Sequence, residues 1–332
     1  MIDKIYDIGF DYWNSAVLRA GIKLGVFTLL EREPLSAEKV ANQLQTNAGF
    51  TSSFLEACTI LELLEKVEDR YKNAEETSKF LVSDRPEYIG DHVLHITNYW
   101  LTWGNLDTLI REGRTEFPFE NGFVNADTYW SDYMKGQHSR ATSGQGAYLV
   151  ENVNLEGKRK LLDLGGGAAS YSIALCNAYP QLQAFVVDEK ESLAVAGPLV
   201  EENNLNNQIT LVEGDFNTIA LDSDHDVVLI SGVVVLKSEE DSRQLFRRAY
   251  NALLPGGLIV IQDFMQMDSS PKRRFLDIMM DLYVKIGFHP EGSDRSSTEI
   301  LSWLQDVGFK NFKQVSLPTQ YALIAAEKPA SA

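Results

Sequence analysis

Cysteine is nearly absent. The 332 residues hold two, Cys58 and Cys176, far apart and without the spacing of a metal site. Neither a disulfide framework nor a bound metal is expected to organise the chain, and a reducing, cytoplasmic setting fits. Basic residues are also short: 30 lysines and arginines face 47 acids, a formal charge of −17. So acidic a chain repels phosphate backbones, which argues against nucleic acid as a partner. No stretch approaches the ~18 uninterrupted apolar residues of a membrane span. The opening "MIDKIYDIGFDYWNSA" places acids where a signal peptide needs an apolar core. Internal repeats, low-complexity tracts and long linkers are missing too. What remains is the mix of a folded protein, 44% hydrophobic and 23% charged, long enough for one large or two ordinary domains.

The chain has two rhythms. In the first, "YWNSAVLRAGIKLGVFTLLE" sets Ala16, Leu18, Ala20, Leu24, Val26, Phe27, Leu29 and Leu30 on a broad apolar stripe at helical spacing. A second helix starts after Ser36, a plausible N-cap. A third runs over 51–67, and short strands about a turn at Glu68-Asp69-Arg70 make a hairpin. Three helices and a hairpin describe a winged helix over residues 1–100. The would-be reading helix 51–67 carries one lysine against three glutamates, so packing or dimerisation suits it better than DNA. Residues 101–155 read as a helical linker that also lines a substrate pocket, with Trp100, Trp103 and Met134 as candidate walls. Over 156–332 short apolar runs alternate with helices: "KLLDLGG", "QAFVVDE", "QITLVEGD", "DVVLISG", "GGLIVIQDF". That alternation predicts an α/β unit with a mostly parallel sheet, closed by an antiparallel pair from "FKQVSL" and "YALIAAEKP".

In such a sheet, ligands bind beyond the carboxyl ends of the strands. The run 160–164 ends in Gly165-Gly166-Gly167, where missing side chains let a ligand approach the backbone. The spacing, D-x-G-G-G-x-A, is not the G-x-G-x-x-G of a dinucleotide site. The second strand ends in Asp188, 23 residues after Gly165, about where a ribose-binding acid is expected. The third ends in "EGDF", where Asp215 would accept from an adenine amino group and Phe216 would cover the ring.

In this order "LLDLGGGAAS", "VVDEKE", "EGDF" and "NALLPGGLIVIQDF" resemble the S-adenosylmethionine-dependent methyltransferases with a Rossmann-like core. The front half, from "NSAVLRAGIKLGVFTLLEREPLSAEKVANQL" to "RYKNAEETSKFLV", resembles the winged-helix dimerisation domain of the small-molecule O-methyltransferases. The resemblance implies S-adenosylmethionine as cofactor, a homodimer and a small-molecule acceptor. It implies Asp163, Gly165, Gly166, Gly167, Asp188, Asp215, Phe216 and Ser231 as cofactor residues. Ser231 stands where many relatives carry a lysine near the adenine, and Ala169 replaces a common glycine.

One departure bears on chemistry. O-methylating members carry a catalytic histidine after the fourth strand, in a pattern like L-H-D-W. Here the segment reads "DVVLISGVVVLKSEEDSRQLF", which sets Val235 at the histidine and Lys237 at the tryptophan. A general base is typically worth ~10²–10⁴-fold, and valine takes no proton. Asp263 and Asp294 match two acids that orient the base in relatives. His289, in the pocket-lining segment, is a candidate substitute base, Tyr283 a candidate orienting group, and Phe288 and Val235 candidate walls. His225, in an acidic turn, reads as solvated. Three enzymatic readings remain: methyl transfer to an electron-rich carbon, which needs no base in the transfer step; O-methylation with His289 or Asp263 as base; or a non-methyl reaction on the same cofactor fold. A winged-helix binding module is the non-enzymatic alternative.

Overall fold

The computed structural model describes residues 2–267, 275–318 and 321–330, the side chain of Asp277 excepted. The chain forms two compact units, Met1–Asn98 and Tyr99–Ala332.

The first unit opens with α1 (Ile2–Phe10), α2 (Tyr12–Leu24) and α3 (Val26–Leu30). The single apolar stripe expected here is broken at Gly25, whose φ of +71° ends α2 in a left-handed cap. After β1 (Leu35–Ser36), α4 (Ala37–Leu44) begins on Ser36, whose hydroxyl accepts from Lys39 N as the sequence suggested. Next come α5 (Ala48–Ile60), β2 (Leu64–Val67), β3 (Arg70–Asn73), α6 (Glu75–Phe80) and α7 (Gly90–Asn98). The expected helix over 51–67 stops at Ile60. Glu62 turns to φ +59° and Leu64 enters the hairpin as its buried residue. Val67 pairs with Arg70, so the turn is Glu68-Asp69 alone. The strands pair in the order β1-β3-β2, and Val26, Phe27, Val40, Leu55 and Tyr71 fill the core.

The second unit begins with α8 (Trp100–Gly104), α9 (Leu106–Glu112), α10 (Ala126–Arg140) and α11 (Gly146–Asn152). Asn125 caps α10 by accepting from Thr128 N at 2.8 Å. A π-helical turn, Ala141–Gln145, joins α10 to α11. Then β4 (Lys160–Leu164), α12 (Ser170–Ala178), β5 (Gln183–Asp188), α13 (Lys190–Glu202), β6 (Ile209–Glu213), β7 (His225–Ser231), α14 (Glu239–Ala252), β8 (Leu253–Gln266), α15 (Phe275–Gly287), β9 (Arg295–Ser296), α16 (Ser297–Val307), β10 (Lys310–Ser316) and β11 (Tyr321–Glu327) complete the unit.

The main sheet runs β10-β11-β8-β7-β4-β5-β6, with β9 pairing β8 off that path. Strands β8, β7, β4, β5 and β6 pair in parallel, while β11 and β10 run antiparallel. The central strands are covered on both faces, which is why β4 and β5 read as apolar runs rather than alternating ones. From β4 the chain steps outward to β5 and β6, then returns to β7 on the other side of β4. That reversal opens a crevice at the carboxyl ends of β4 and β7. The fold is the Rossmann-like α/β arrangement with a mainly helical N-terminal unit that the sequence pattern predicted.

Candidate active site

A cavity of about 410 Å³ lies at this crevice, lined wholly by the second unit. Its floor is the glycine turn. Gly165 (φ +74°) and Gly167 (φ +55°) are left-handed. A Cβ on Gly166 would fall 2.6 Å from Val186 Cγ1 and 2.8 Å from the Asp163 carboxyl; one on Gly165 would fall 2.8 Å from Val233 Cγ2. Side chains are thus excluded by both conformation and space. Asp163 is 1% exposed. Its Oδ2 accepts from Ser172 Oγ at 2.6 Å, while Oδ1 is buried with no partner among the described residues. Burial pushes this carboxyl up to about 7.

Asp188 ends β5 and is held by two backbone donors: Gly167 N to Oδ2 at 2.8 Å and Glu189 N to Oδ1 at 2.7 Å. Burial raises its pKa against the pull of those donors. The bonds fix the carboxylate in the cavity wall with lone pairs left on both oxygens. Glu189 and Glu191 line the cavity beside it, and Lys237 is the one lining lysine or arginine among the described residues. Four carboxyl groups against one ammonium suit a cationic ligand.

At the far end Phe216 lies under Lys237, whose Nζ is 5.1 Å from the ring centroid and 2.7 Å from Asn217 Oδ1. Burial lowers the lysine's pKa. Asp215 does not reach the cavity. Its carboxylate turns into its own loop and accepts from Asn217 N at 2.8 Å, Asn217 Nδ2 at 2.7 Å and Thr218 Oγ1 at 3.1 Å. The opposite wall is one face of α10, where Trp130, Tyr133, Met134 and Gln137 recur at helical spacing. Ala168, Ser170, Tyr171, Ser192, Ser231, Gly232, Val233, Leu236 and Tyr321 complete the lining.

Of the residues singled out in the sequence, Asp163, Gly165, Gly166, Gly167, Asp188, Phe216, Ser231 and Met134 meet in this cavity. Lys237, noted at the family's tryptophan position, joins them, and the other candidate site residues lie outside the lining. Val235 is buried in a 3₁₀ turn, Val234–Leu236, that shows Val233 and Leu236 to the cavity instead. Its N–H donates to Asp263 Oδ2 at 3.1 Å, and its carbonyl accepts from Ser293 N at 3.0 Å. Asp263 is therefore a fully buried brace for that turn; its other oxygen accepts from Phe264 N, and burial pushes it up to about 7, with Asp294 adding repulsion. His289 Nδ1 accepts from Glu291 N at 3.1 Å. The lone pair of a neutral imidazole is thus turned onto its own loop. Tyr283 and Phe288 join an aromatic cluster with Tyr99, 5.0 and 5.9 Å between centroids, rather than the lining. Trp100 and Trp103 sit on α8, away from the lining as well. His225, expected in a solvated turn, is 3% exposed because β7 already begins there; its ring packs edge-on against Phe185.

Sequence reasoning passed over Trp130, Tyr171 and Tyr321 as site residues. Trp130 was legible from the spacing of residues 130, 133, 134 and 137. Tyr321 carried no local signal, since it reaches the site only through strand order. No group of residues fit to hold a metal and no helix long and apolar enough to cross a membrane occurs among the described residues.

Comparison with known proteins gives these features a family. Residues 103–310 match the O-methyltransferase domain, and residues 6–83 match the O-methyltransferase dimerisation domain. The chain is 27% identical to 3-hydroxy-5-methyl-1-naphthoate 3-O-methyltransferase of Streptomyces sahachiroi, over 93% of this chain and 90% of that protein. It is also 27% identical to L-tyrosine C(3)-methyltransferase of Streptomyces lavendulae, over 78% and 72%. Among solved structures, human N-acetylserotonin methyltransferase in complex with S-adenosylmethionine superposes with a TM-score of 0.88 at 25% identity, covering 99% of this chain and 98% of that one. The glycine turn, the orphaned buried oxygen of Asp163 and the carboxylate-rich wall all fit a sulfonium nucleoside. The chain belongs to the S-adenosylmethionine-dependent O-methyltransferase family, with a dimerisation domain at its N-terminus.

Proposed function

We propose that this enzyme methylates a carbon atom of a small, largely apolar aromatic or polycyclic acceptor. The observation that carries the reading is the turn after β7. Val235 stands where the sequence resemblance puts the family's catalytic histidine, and the segment around the turn offers the cavity Val233, Leu236 and, just past it, Lys237, none of them a histidine. No histidine of the Tyr99–Ala332 unit lines the cavity. His138 is the nearest, its Nδ1 2.9 Å from the hydroxyl of the lining residue Ser170, and burial lowers its pKa.

S-adenosylmethionine, when bound, supplies an electrophilic methyl group. The residues do the rest by placement. Asp188 holds the ribose hydroxyls, and Phe216 with Lys237 closes on the adenine. Trp130, Tyr133, Met134 and Leu236 form an apolar chamber that excludes water and aligns the acceptor. For an electron-rich aromatic carbon, alignment and proximity would supply most of the acceleration, and the ring proton would pass to solvent water once the methylated acceptor leaves the chamber. The C(3)-methylating relative makes this chemistry compatible with the scaffold. O-methylation through a substitute base has less support, because His289 spends its lone pair on Glu291 N and Asp263 braces the turn from behind. We also read the protein as a homodimer, on the strength of its dimerisation domain.

The test is the product. Isotopically labelled S-adenosylmethionine is incubated with a panel of phenols and hydroxynaphthalenes, and the label is located by carbon NMR. A C–CH₃ resonance is expected. An O–CH₃ product, with turnover lost in His289→Ala, would reverse the assignment to oxygen.

A further inference from the structure

Arg140 closes α10, its guanidinium set among aromatic rings at the β7 end of the cavity. Its Cζ lies 4.5 Å from the Tyr321 centroid and 4.8 Å from that of Phe264, two rings that themselves touch at 4.4 Å. Nη1 donates to Gln137 Oε1 at 3.2 Å. Gln137 and Tyr321 both line the cavity, and Arg140 lies behind them, outside the lining. Among the described residues no carboxylate pairs with this guanidinium.

That combination is uncommon. Arg140 is half-buried, and a cation partly withdrawn from water is ordinarily paired with an anion, since desolvation disfavours it. A guanidinium has five donors in a planar fork that matches a carboxylate, and the protein uses only part of it. The Tyr321 hydroxyl stands 3.7 Å from where a Cβ on Gly232 would lie, so it sits at the tip of β7 facing the crevice. Tyr171, in the first turn of α12, donates to Gln145 Oε1 at 2.7 Å and so holds the adjoining π-helical turn in place. The carboxylates of the wall come from elsewhere in the crevice: Asp163 from β4, Asp188 from the end of β5, and Glu189 and Glu191 from the start of α13. The cavity is thus acidic at one side and cationic at this corner.

We propose that Arg140, with the Tyr321 hydroxyl in front of it, anchors a carboxylate group inside the cavity. Two ligands bring one there: the amino-acid end of the sulfonium cofactor, or an acceptor that is an aromatic acid. Both bring a flat anion to the Tyr321 hydroxyl, with the fork behind it. A purely structural alternative exists, in which Arg140 only staples α10 to β8 and β11 through its cation–π contacts.

Calorimetry on the full chain separates these. The variants are Arg140→Met, Arg140→Lys and Tyr321→Phe. The probes are S-adenosylhomocysteine, its decarboxylated analogue, 5′-methylthioadenosine, and 1-naphthoate added to protein saturated with S-adenosylhomocysteine. If the anchor serves the cofactor, Arg140→Met weakens S-adenosylhomocysteine roughly 10- to 100-fold, as for the loss of a charged hydrogen bond. The two carboxylate-free nucleosides bind it as they bind wild type, and Arg140→Lys restores part of the loss. If the anchor serves the acceptor, the nucleosides are unaffected and 1-naphthoate binding is lost. Should Arg140→Met fail to fold, wild-type preference for S-adenosylhomocysteine over its decarboxylated analogue, reduced in Tyr321→Phe, reads the same contact. The anchor is overturned if folded Arg140→Met binds both S-adenosylhomocysteine and 1-naphthoate within about threefold of wild type. Failure of 5′-methylthioadenosine to bind wild type would instead count against the nucleoside site itself.

Discussion

Asp188 and Asp263 are both buried carboxylates fed by backbone N–H groups, yet only Asp188 faces the cavity. Their variants should therefore fail differently. On the proposed reading Asp188→Ala removes the acceptor for two ribose hydroxyls, and each charged hydrogen bond is worth about 1.5–3 kcal/mol. S-adenosylhomocysteine binding should weaken at least ~10-fold by calorimetry, with a thermal midpoint close to wild type. Asp263 bears on stability. Its carboxyl rises from 3.8 to about 7 in the folded chain. Between those values the folded state holds a proton that the unfolded state has lost, so stability falls as pH rises through that window and the loss is complete above it. Asp163, also raised to about 7, acts in the same sense. Urea unfolding at pH 5 and pH 8 should show the drop in wild type and a smaller drop in Asp263→Asn. That variant should also be about 1–3 kcal/mol less stable at pH 5, because its amide leaves one buried backbone donor unpaired. An unchanged pH difference would mean that Asp263 is ionised throughout.

At the scale of elements, the turn between β4 and α12 rests on opposing terms. Ala169 caps α12 at φ +59° and is fully buried. An L-residue in that conformation costs roughly 1–2 kcal/mol. Ala169→Gly would relieve it, but would also expose the unfolded chain's extra freedom and discard a buried methyl worth about 0.8 kcal/mol. These nearly cancel, so denaturant unfolding should place Ala169→Gly within about 1 kcal/mol of wild type. Gly166→Ala has no such compensation, with contacts of 2.6–2.8 Å to Val186 and Asp163, and should lose cofactor binding outright. The same turn shows what a sequence can tell. Strand ends are local events, so Gly165, Asp188 and Phe216 could be read from apolar runs and the residues that end them. The α10 wall is half legible: Met134 stands out by type, while Trp130 shows only through the helical period of a polar stretch. Trp100, Trp103 and Phe288 misdirect because aromatic type signals apolar surroundings without saying which. Tyr321 was beyond reach. It meets the site because β11 inserts beside β8, pairing Tyr321 with Phe264, a long-range register no local pattern encodes. Asp215 lies outside the lining for a subtler reason: a short acid with Asn and Thr just after it bonds within its own turn.

For the whole molecule, α1 raises the question of what holds it. It has nine residues and none is buried, and isolated helices shorter than ~12–15 residues are marginal in water. Ile2, Ile5, Tyr6, Ile8 and Phe10 are all about half exposed or more, as are Tyr12 and Trp13 at the start of α2. A run of large apolar side chains left open to solvent is a surface that association would cover, and it falls within the dimerisation domain but for Ile2 and Ile5 at its edge. A formal charge of −17 opposes self-association only weakly at physiological salt, where screening acts within about 8 Å. Replacing Ile5 and Ile8 together with glutamate should therefore shift sedimentation velocity from dimer to monomer. It should also speed hydrogen exchange across residues 2–10, as α1 loses what orders it. Every residue lining the cavity belongs to the second unit, so S-adenosylhomocysteine affinity should stay within about twofold of wild type. If the double variant remained dimeric with α1 still protected, association would have to be carried by another face of the first unit.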